Sequence, residues 1–173
     1  FQRKIVVVKL GGSAMSSPKH IQGILRDIVF METVKMKPIL LHGGGTAITR
    51  RMKEEGISLR FIDGLRVTDG PTIEIVQDVL SGINRRLSEK INNLGGRGHP
   101  LSAGSESVIR ARKHSKSSSR KKDDIGFVGE VAGIESDAIL ALTEKDVVPV
   151  IAPLGRDASG RFYNINADIV AGA

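Results

Sequence analysis

The sequence predicts an α/β protein, a three-layer sandwich in which a mostly parallel central sheet lies between layers of helices. Short apolar segments typical of buried strands, at 5–8, 39–41 and 147–153, alternate with longer segments whose apolar residues recur at helical spacing. Each strand segment is followed closely by glycine. A strand–helix–strand–helix order produces a parallel sheet with helices on both faces.

Composition restricts the classes of function. The 173 residues are 40% apolar, which is enough for one large domain with its own core. There is no cysteine, which excludes disulfides and thiolate metal sites and agrees with a cytoplasmic location. No apolar run approaches the ~20 residues that span a bilayer, so we expect no membrane partner. Aromatic residues make up only 3%, which argues against a stacking surface for single-stranded nucleic acid.

The net charge of +7 comes from one segment. Residues 110–122 carry seven lysines and arginines and no acid, and the rest of the chain is neutral. We interpret residues 107–112 and 125–131 as the two strands of a β-hairpin with a basic, serine-rich tip from Lys113 to Asp124. The interpretation that we favour is a solvated tip, and a nucleic-acid contact is the alternative.

The first strand runs into Lys9-Leu10-Gly11-Gly12. A lysine beside glycines combines a positive charge with accessible backbone N–H groups, an arrangement that suits phosphate. A flexible turn with a solvated lysine is the alternative, and it is the better interpretation if the segment is taken alone.

The second strand, at 39–41, runs into His42-Gly43-Gly44-Gly45 and follows a helix predicted from His20 to about Lys35. The glycines precede another predicted helix, from Ala47 to Glu55, and N–H groups at a helix N-terminus form a ready anion site. We interpret His42 as a packed, hydrogen-bonded residue. No second histidine stands at metal-ligand spacing, so we predict no metal site.

The middle of the chain contains a short strand at 59–62, a loop carrying Arg66, and a long amphipathic helix over 71–92 capped by Thr68 or Asp69. A helix of this length can serve a subunit interface as well as the core. Arg66 either pairs with a surface carboxylate or binds the carboxylate of a substrate. Residues 95–101 indicate a glycine turn.

The last part contains a helix from about 134 to 142, a strand at 147–153, a turn at 157–160 and a helix that begins near Asp168. Asn164 and Asn166 stand two residues apart, so they lie on one side of an extended backbone. We expect the chain to be truncated within the final apolar helix.

Four motifs together resemble the amino acid kinase family, and within it the branch that phosphorylates N-acetyl-L-glutamate in arginine biosynthesis. In chain order they are Lys9-Leu10-Gly11-Gly12, His42-Gly43-Gly44-Gly45, Gly64-Leu65-Arg66-Val67-Thr68 and Asn164-Ile165-Asn166-Ala167-Asp168. The first two motifs are general to the family and the last two are more specific. The resemblance extends over the whole chain.

The resemblance implies roles for eight residues. These are Lys9 and Asp168 in catalysis, Gly11 and Gly12 in phosphate binding, and Gly44, Gly45, Arg66 and Asn164 in binding of the amino-acid substrate. Lys9 would stabilise the transferring phosphoryl group and Asp168 would orient Lys9. Thr46 departs from the family pattern, where proline is frequent, and the basic hairpin tip is longer than we expect.

The resemblance also implies ATP with Mg²⁺ as co-substrate, a homodimer or hexamer, and a hairpin that acts as a lid. Residues 1–173 would be the N-terminal domain for amino-acid binding and dimerisation. A C-terminal nucleotide-binding domain with a second catalytic lysine would be absent, which leaves the fragment inactive by itself.

The proposed chemistry is consistent with the residues. A substrate side-chain carboxylate with a pKa near 4.3 is ionised at pH 7 and needs no general base, and none is evident. Phosphoryl transfer then requires alignment and charge neutralisation. No carboxylate cluster for Mg²⁺ stands in the motifs. Two other functions remain open: a non-catalytic, metabolite-sensing module with the same fold, and a nucleic-acid binder that acts through residues 110–122.

Overall fold

The computed structural model describes residues 2–102, 107–115 and 124–173. The helices are α1 (Gly12–Met15), α2 (Pro18–Thr33), α3 (Gly45–Glu54), α4 (Gly70–Asn93), α5 (Ser136–Glu144) and α6 (Ala167–Ala171). The strands are β1 (Ile5–Leu10), β2 (Lys37–His42), β3 (Phe61–Ile62), β4 (Leu65–Arg66), β5 (Gly98–Leu101), β6 (Ile109–Lys113), β7 (Gly129–Ile134), β8 (Val148–Ile151), β9 (Leu154–Arg156) and β10 (Phe162–Asn164).

The central sheet confirms the predicted fold class. Its four strands are ordered β1-β2-β8-β5, and every pairing within it is parallel. Parallel pairing places the carboxyl ends of these strands at one rim, and the loops that leave them at that rim therefore become neighbours.

Side chains of the central strands alternate between two cores, which gives the predicted three layers. On β2, Leu40 packs with α2 and α4, whereas Ile39 and Leu41 pack with α5, α6 and the second sheet. On β8, Val150 and Ile151 divide in the same way. A strand that is covered on both faces needs a continuous apolar sequence, which is the pattern that predicted these strands.

The second sheet has the order β10-β9-β6-β7 and contains the predicted hairpin. Strands β6 and β7 are antiparallel, with a register shift between Arg110 and Ala111. The return strand begins at Gly129, and not at 125 as predicted, because residues 126 and 128 instead form bridges to Thr68 and Asn164. Residues 116–123 of the basic tip lie outside the described part of the chain.

Two further predictions of local structure need correction. Residues 98–101, predicted as part of a turn, form β5, which pairs with β8. Pro100 is tolerated there because β5 is an edge strand. Strand β1 also lies at an edge, so Ile5 and Val7 are about half exposed and not buried as the apolar run predicted.

The long helix α4 begins at a side-chain cap. The carboxylate of Asp69 accepts a hydrogen bond from the backbone N–H of Thr72 at 3.0 Å, which identifies Asp69 as the cap residue. Hydrogen bonds from the side chain and from the backbone N–H of Thr72 lower the pKa of Asp69. No helix in the described residues combines the length and the apolarity that crossing a bilayer requires.

Gly126 joins the hairpin to the loop that precedes α4. Its φ is +74°, and a Cβ at this position would lie 2.1 Å from the carbonyl oxygen of Thr68. The N–H of Phe127 donates to the same oxygen at 2.6 Å. The loop therefore passes directly against the backbone of Thr68, where no other residue type fits.

We expect Gly126→Ala to lower the free energy of unfolding by about 2 kcal/mol or more, because it combines strain at positive φ with a backbone clash. Gly23→Ala is the matched control. Gly23 lies inside α2 with open space around its Cα, so alanine there should raise the free energy of unfolding by about 0.5–1 kcal/mol. Urea unfolding measures the free energy of unfolding of both variants. Equal changes in the two would contradict the close packing of Gly126 on the backbone of Thr68.

Candidate anion-binding site

Two glycine turns meet at the carboxyl-end rim of the central sheet. Leu10 at the end of β1 pairs in register with His42 at the end of β2, and the N–H of Gly43 donates to the carbonyl oxygen of Leu10 at 2.9 Å. The backbone ladder between the two strands thus extends into the second glycine turn. Gly11 begins the first turn directly beside this contact.

Lys9 lies at the same rim, in contact with the last helix. Its Nζ is 2.9 Å from Oδ1 of Asp168, in the first turn of α6. A Cβ on Gly11 would lie 2.9 Å from the same Nζ, so the ammonium rests against the glycine turn. Asn166 is the N-cap residue of α6, and its side-chain oxygen accepts a hydrogen bond from the backbone N–H of Asp168 at 2.8 Å. This hydrogen bond fixes the backbone position from which the Asp168 carboxylate extends.

The N-terminus of α3 provides N–H groups that no side chain caps. Gly44 precedes the helix and is pressed against α4, because a Cβ on Gly44 would lie 2.5 Å from Cδ2 of Leu80. Absence of a side chain at Gly44 therefore permits the close packing of this turn on α4. Uncapped N–H groups at a helix N-terminus attract anions.

A cleft of about 240 Å³ opens beside this turn. Its lining residues come from the glycine turn and the start of α3, the β3–β4 hairpin, α4, the residue before β9, and the segment that joins β10 to α6; they include Gly43, Gly44, Gly45, Phe61, Arg66, Leu80, Pro153, Asn164 and Asn166. Five stretches that are separate in the sequence thus build one cleft.

Arg66 is the principal charged group of the cleft, and it is only 7% exposed. Its Nη2 donates to Oγ1 of Thr49 at 2.7 Å and to the carbonyl oxygen of Gly45 at 3.2 Å. Its guanidinium lies 4.8 Å from the ring centre of Phe61. Burial lowers the pKa of Arg66 but leaves it charged at neutral pH, since arginine titrates far above this range.

No carboxylate pairs with Arg66 among residues 2–102, 107–115 and 124–173. Its polar partners are neutral: a carbonyl, a hydroxyl and the sulfur of Met52. A buried cation without a counter-ion is costly, and an anion bound in the cleft would remove that cost. Of the two alternatives for Arg66, a surface ion pair is not found among the described residues, and an anion-binding arginine fits the geometry.

Asn164 lies across the cleft from the glycine turn. Its Nδ2 donates to Oγ1 of Thr68 at 3.3 Å, and this hydroxyl donates to the carbonyl oxygen of Arg66 at 2.8 Å. A short polar chain therefore connects Asn164 to the backbone of Arg66, so that the two side chains are held by one network.

His42 is fully buried below the glycine turn, as the sequence predicted. Its Nδ1 lies 2.8 Å from the carbonyl oxygen of Gly43 and donates to it, while Nε2 accepts from Nδ2 of Asn84 at 3.0 Å. Nδ2 of Asn84 also donates to the carbonyl oxygen of Val150 at 2.8 Å, which fixes the orientation of the amide. Burial, and to a smaller extent the charge of Arg86, lower the pKa of His42 to about 4 against the opposing effect of the Gly43 carbonyl.

The structure brings most of the predicted residues together. Lys9, Gly11 and Asp168 form one contact at the rim, and the substrate-binding set of Gly44, Gly45, Arg66 and Asn164 lines one cleft. Gly12 does not line that cleft. It faces a second one on the other side of the glycine turn, near Thr46.

The sequence analysis missed three residues that support the site: Asn84, Thr49 and Phe61. Asn84 had a readable signal, because it stands on the apolar stripe of α4 four residues after Leu80, where a polar residue must find buried partners. Thr49 and Phe61 had none, since both become relevant only through contact with Arg66.

Other features of the described residues are less suited to catalysis. A groove of about 210 Å³ between the sheet, α5 and α6 has an almost wholly apolar lining that includes Val7, Ile39 and Val170. The described part of the chain contains no group of three or more histidine, aspartate or glutamate residues placed to hold a metal ion. The carboxylate nearest the rim, Asp168, is engaged by Lys9.

A parallel α/β sheet whose rim offers a lysine, bare amides and a buried arginine, with no carboxylate partner for that arginine in the described part of the chain, defines a class of proteins that bind anionic small molecules at strand ends. Comparison with known proteins identifies the class more closely. Residues 4–173 match the amino acid kinase family, and the chain belongs to that family.

The chain is similar in sequence to acetylglutamate kinases. It is 46% identical over 178 aligned residues to the acetylglutamate kinase of Acinetobacter baylyi, covering 99% of this chain and 59% of that enzyme. The kinase of Desulforamulus reducens is 40% identical over 173 residues, with the same 59% coverage. The chain therefore spans about three-fifths of the length of these relatives.

Solved structures share the fold. The smu.665 protein of Streptococcus mutans superposes with a TM-score of 0.77 at 27% identity, covering 98% of this chain and 66% of that one. N-acetylglutamate synthase from Neisseria gonorrhoeae, complexed with coenzyme A and N-acetyl-glutamate, gives a TM-score of 0.80 at 17% identity, covering 96% of this chain and 37% of that one.

The buried His42 makes stability depend on pH. The folded state holds its pKa near 4, below the unfolded value of about 6.5, so the stabilisation is complete above pH 6.5 and is lost as pH falls toward 4. We expect this loss to be about 3 kcal/mol, measured by urea unfolding across that range.

His42→Gln separates this effect from other titrations, since an amide does not ionise. Between pH 6.5 and 4 its stability should change about 3 kcal/mol less than that of the wild type. His20→Gln, which removes an exposed imidazole, should keep the wild-type dependence. Identical pH profiles for wild type and His42→Gln would show that His42 is not the buried neutral group described.

Proposed function

We propose that this chain is the amino-acid-binding part of an acetylglutamate kinase. The enzyme transfers the γ-phosphoryl group of ATP to the side-chain carboxylate of N-acetyl-L-glutamate and forms N-acetylglutamyl 5-phosphate in arginine biosynthesis. The observation that carries the proposal is the buried charge of Arg66, which lines the cleft without a carboxylate partner in the described residues.

Arg66 and Asn164 would hold the substrate. The substrate carries carboxylates, and a guanidinium binds a carboxylate with two parallel hydrogen bonds. Thr49 and the carbonyl of Gly45 already orient the guanidinium, so little side-chain entropy remains to be lost on binding. Asn164 supplies an amide for the polar groups of the N-acetylated amino acid.

Lys9 and the glycine turns would act on the phosphoryl group. Charge develops on the equatorial oxygens as the phosphoryl group transfers, and preorganised donors stabilise that charge. Lys9 supplies a cation, and Gly11, Gly12, Gly44 and Gly45 supply backbone N–H groups. Asp168, whose Oδ1 is 2.9 Å from Nζ of Lys9, positions the ammonium through one of its three N–H groups. The other two N–H groups would remain available to the phosphoryl oxygens.

The reaction needs no general base within this arrangement. The nucleophile is a carboxylate that is already ionised at neutral pH. The protein's contribution is to align two anions that repel each other and to offset their combined charge. A lysine, an arginine and a set of backbone dipoles at one rim are suited to that task.

The described residues suit the phosphates of ATP but do not form a site for Mg²⁺. The bare amides of the two glycine turns suit the phosphates of ATP, whereas the one carboxylate at the rim pairs with Lys9 and leaves no oxygen set for Mg²⁺. In the proposed enzyme, the metal would be held mainly by the phosphates of the nucleotide, and the base and ribose would be bound by the part of the relatives that this chain does not span. A homodimer or hexamer and a cytoplasmic location are further expectations from the family resemblance.

The first test is binding of N-acetyl-L-glutamate, measured by titration calorimetry. Arg66→Lys keeps the charge but loses the forked geometry, and we expect the Kd to rise by about tenfold or more. Arg60→Lys, an exposed position six residues earlier, is the matched control and should bind as the wild type does. Absence of binding by a folded wild-type protein, or equal binding by Arg66→Lys, would contradict the proposed substrate site.

The second test is the kinetics of a full-length enzyme that carries this chain. Lys9→Met should lower kcat by about 100-fold or more while KM for N-acetyl-L-glutamate changes by no more than about threefold, because Lys9 acts on the phosphoryl group. Asp168→Asn should give a smaller loss in kcat, since the lysine remains but is less well oriented.

Lys19→Met removes an exposed lysine on α2 and should leave both constants unchanged. A rise in KM with unchanged kcat in Lys9→Met would assign Lys9 to substrate binding and contradict its proposed role. Binding of N-acetyl-L-glutamate without any phosphoryl transfer in the full-length protein would favour the metabolite-sensing alternative.

A further inference from the structure

The function proposed above gives no role to His42, although this residue lies directly beneath the glycine turn. His42 ends β2, and its imidazole is fully buried. A buried polar side chain is tolerated when it is hydrogen-bonded, and its partners show which groups it holds in place. The partners of His42 are the carbonyl of Gly43 in the turn and the side-chain amide of Asn84 on α4.

The peptide unit between Gly43 and Gly44 can rotate more easily than its neighbours in the turn. Its rotation changes only ψ of Gly43 and φ of Gly44, and neither residue has a Cβ that restricts these angles. The units on either side are fixed by backbone hydrogen bonds. The N–H of Gly43 donates to the carbonyl oxygen of Leu10 at 2.9 Å, and the carbonyl oxygen of Gly44 accepts from the N–H of Ile48 at 2.9 Å.

His42 supplies the contact that fixes the Gly43–Gly44 unit. Nδ1 of the imidazole donates to the carbonyl oxygen of Gly43 at 2.8 Å. In a planar trans peptide the C=O and the following N–H point in opposite directions, and the described residues contain no cis peptide. Because the carbonyl of Gly43 points at the buried imidazole, the N–H of Gly44 points away from it. Gly43 and Gly44 both line the cleft that contains Arg66.

The N–H of Gly44 is available to a ligand. It donates to no acceptor within the described residues, and neither does the N–H of Gly45 at the start of α3. In the opposite orientation of the peptide, the carbonyl oxygen of Gly43 would take the place of this N–H and would repel an anion. The contact with His42 therefore decides whether the turn presents an attractive or a repulsive dipole.

Asn84 selects the tautomer of His42 that can hold this carbonyl. A neutral imidazole carries one ring proton, and its other nitrogen is an acceptor. Nδ2 of Asn84 donates to Nε2 of His42 at 3.0 Å and to the carbonyl oxygen of Val150 at 2.8 Å. Since Nε2 accepts, the ring proton lies on Nδ1 and is directed at Gly43. A flipped amide is disfavoured, because Oδ1 of Asn84 would then face the carbonyl oxygen of Val150.

The amide of Asn84 is not explained by the packing of α4. Its Oδ1 is buried and accepts no hydrogen bond within the described residues, which is unfavourable. Asn84 stands on the apolar stripe of the helix, where an apolar side chain would avoid this cost. The donor that Asn84 provides to His42 accounts for an amide at this position.

We propose that His42 is a positioning residue for phosphoryl transfer. It holds the Gly43–Gly44 peptide in the orientation that directs the N–H of Gly44 at the transferring phosphoryl group. This inference rests on the proposed function, because that function identifies the anion. His42 touches neither substrate and moves no proton in this role. Its effect is electrostatic, since a donor that is already oriented needs no rearrangement when charge develops on the phosphoryl oxygens.

Two substitutions separate the two ring nitrogens. The side-chain amide of asparagine places its nitrogen near the position of Nδ1, whereas the amide of glutamine reaches the position of Nε2. His42→Asn therefore keeps a donor for the carbonyl of Gly43. His42→Gln keeps the contact with Asn84 and loses that donor. Both variants replace the imidazole by a neutral amide, so each is the matched control for the other.

Kinetics of a full-length enzyme that carries this chain measure the effect on catalysis. His42→Gln should lower kcat at least about tenfold and keep KM for N-acetyl-L-glutamate within about threefold, because it loses an oriented donor to the transition state. His42→Asn should keep kcat within about threefold of the wild type. His20→Gln removes an exposed imidazole on α2 and should leave both constants unchanged. A purely structural role of His42 predicts equal kcat in the two folded His42 variants.

Two further measurements do not depend on kinase activity. Crystal structures should show the carbonyl of Gly43 unmoved in His42→Asn and turned toward the cleft in His42→Gln. Nitrogen-15 NMR spectra of the wild type should show the ring proton of His42 on Nδ1, and this measurement needs no variant.

Four results would overturn the proposal. An unmoved carbonyl in His42→Gln, or a ring proton on Nε2 in the wild type, would show that His42 does not orient the peptide. Equal kcat in the two variants would remove its link to catalysis. A rise in KM with unchanged kcat in His42→Gln would assign the N–H of Gly44 to substrate binding. If the wild-type full-length protein transferred no phosphoryl group, the proposed function would fail, while the crystal structures and NMR spectra would still decide whether His42 orients the peptide.

Discussion

The parallel pairing of β1 with β2 is the constraint on which the site depends. Because both strands run in the same direction and Leu10 is in register with His42, their glycine turns leave the sheet side by side. The hydrogen bond from Gly43 to Leu10 continues the ladder beyond the strands. Lys9, at the end of one strand, and the uncapped start of α3, after the other, therefore meet at one rim. A shift of one residue in this register would turn Lys9 to the other face of the sheet.

Two buried titratable groups at this rim illustrate opposite uses of burial. His42 is neutral and has a partner at each ring nitrogen, so it contributes to the structure by holding the carbonyl of Gly43. Arg66 is charged and is surrounded by neutral acceptors. Both ring nitrogens of His42 are satisfied without a ligand, whereas the buried charge of Arg66 is relieved by one. The same reasoning distinguishes the cleft of Arg66 from the apolar groove beside α6, which contains no charge to offset.

Patterns in single segments predicted much of this structure. Continuous apolar runs identified β2 and β8, Asp69 was recognised as one of two candidate caps of α4, and the glycine motifs located the rim. Features that depend on tertiary contact were not predictable. Residues 98–101 became a strand only because β8 was available to pair with them, and β1 proved to be an edge strand despite its apolar sequence. In the same way, the partners of Arg66 come from α3 and from β3, which no local pattern connects to it.

The central claim is that Arg66 and Lys9 act on opposite ends of one bound substrate. A crystal structure of the protein with N-acetyl-L-glutamate tests it most directly. The account predicts one carboxylate of the ligand within hydrogen-bonding distance of the Arg66 guanidinium, the Asn164 amide against the ligand, and the other carboxylate directed at Nζ of Lys9 across the glycine turn. A ligand bound elsewhere, or one whose carboxylates contact neither Arg66 nor the rim that carries Lys9, would contradict the account.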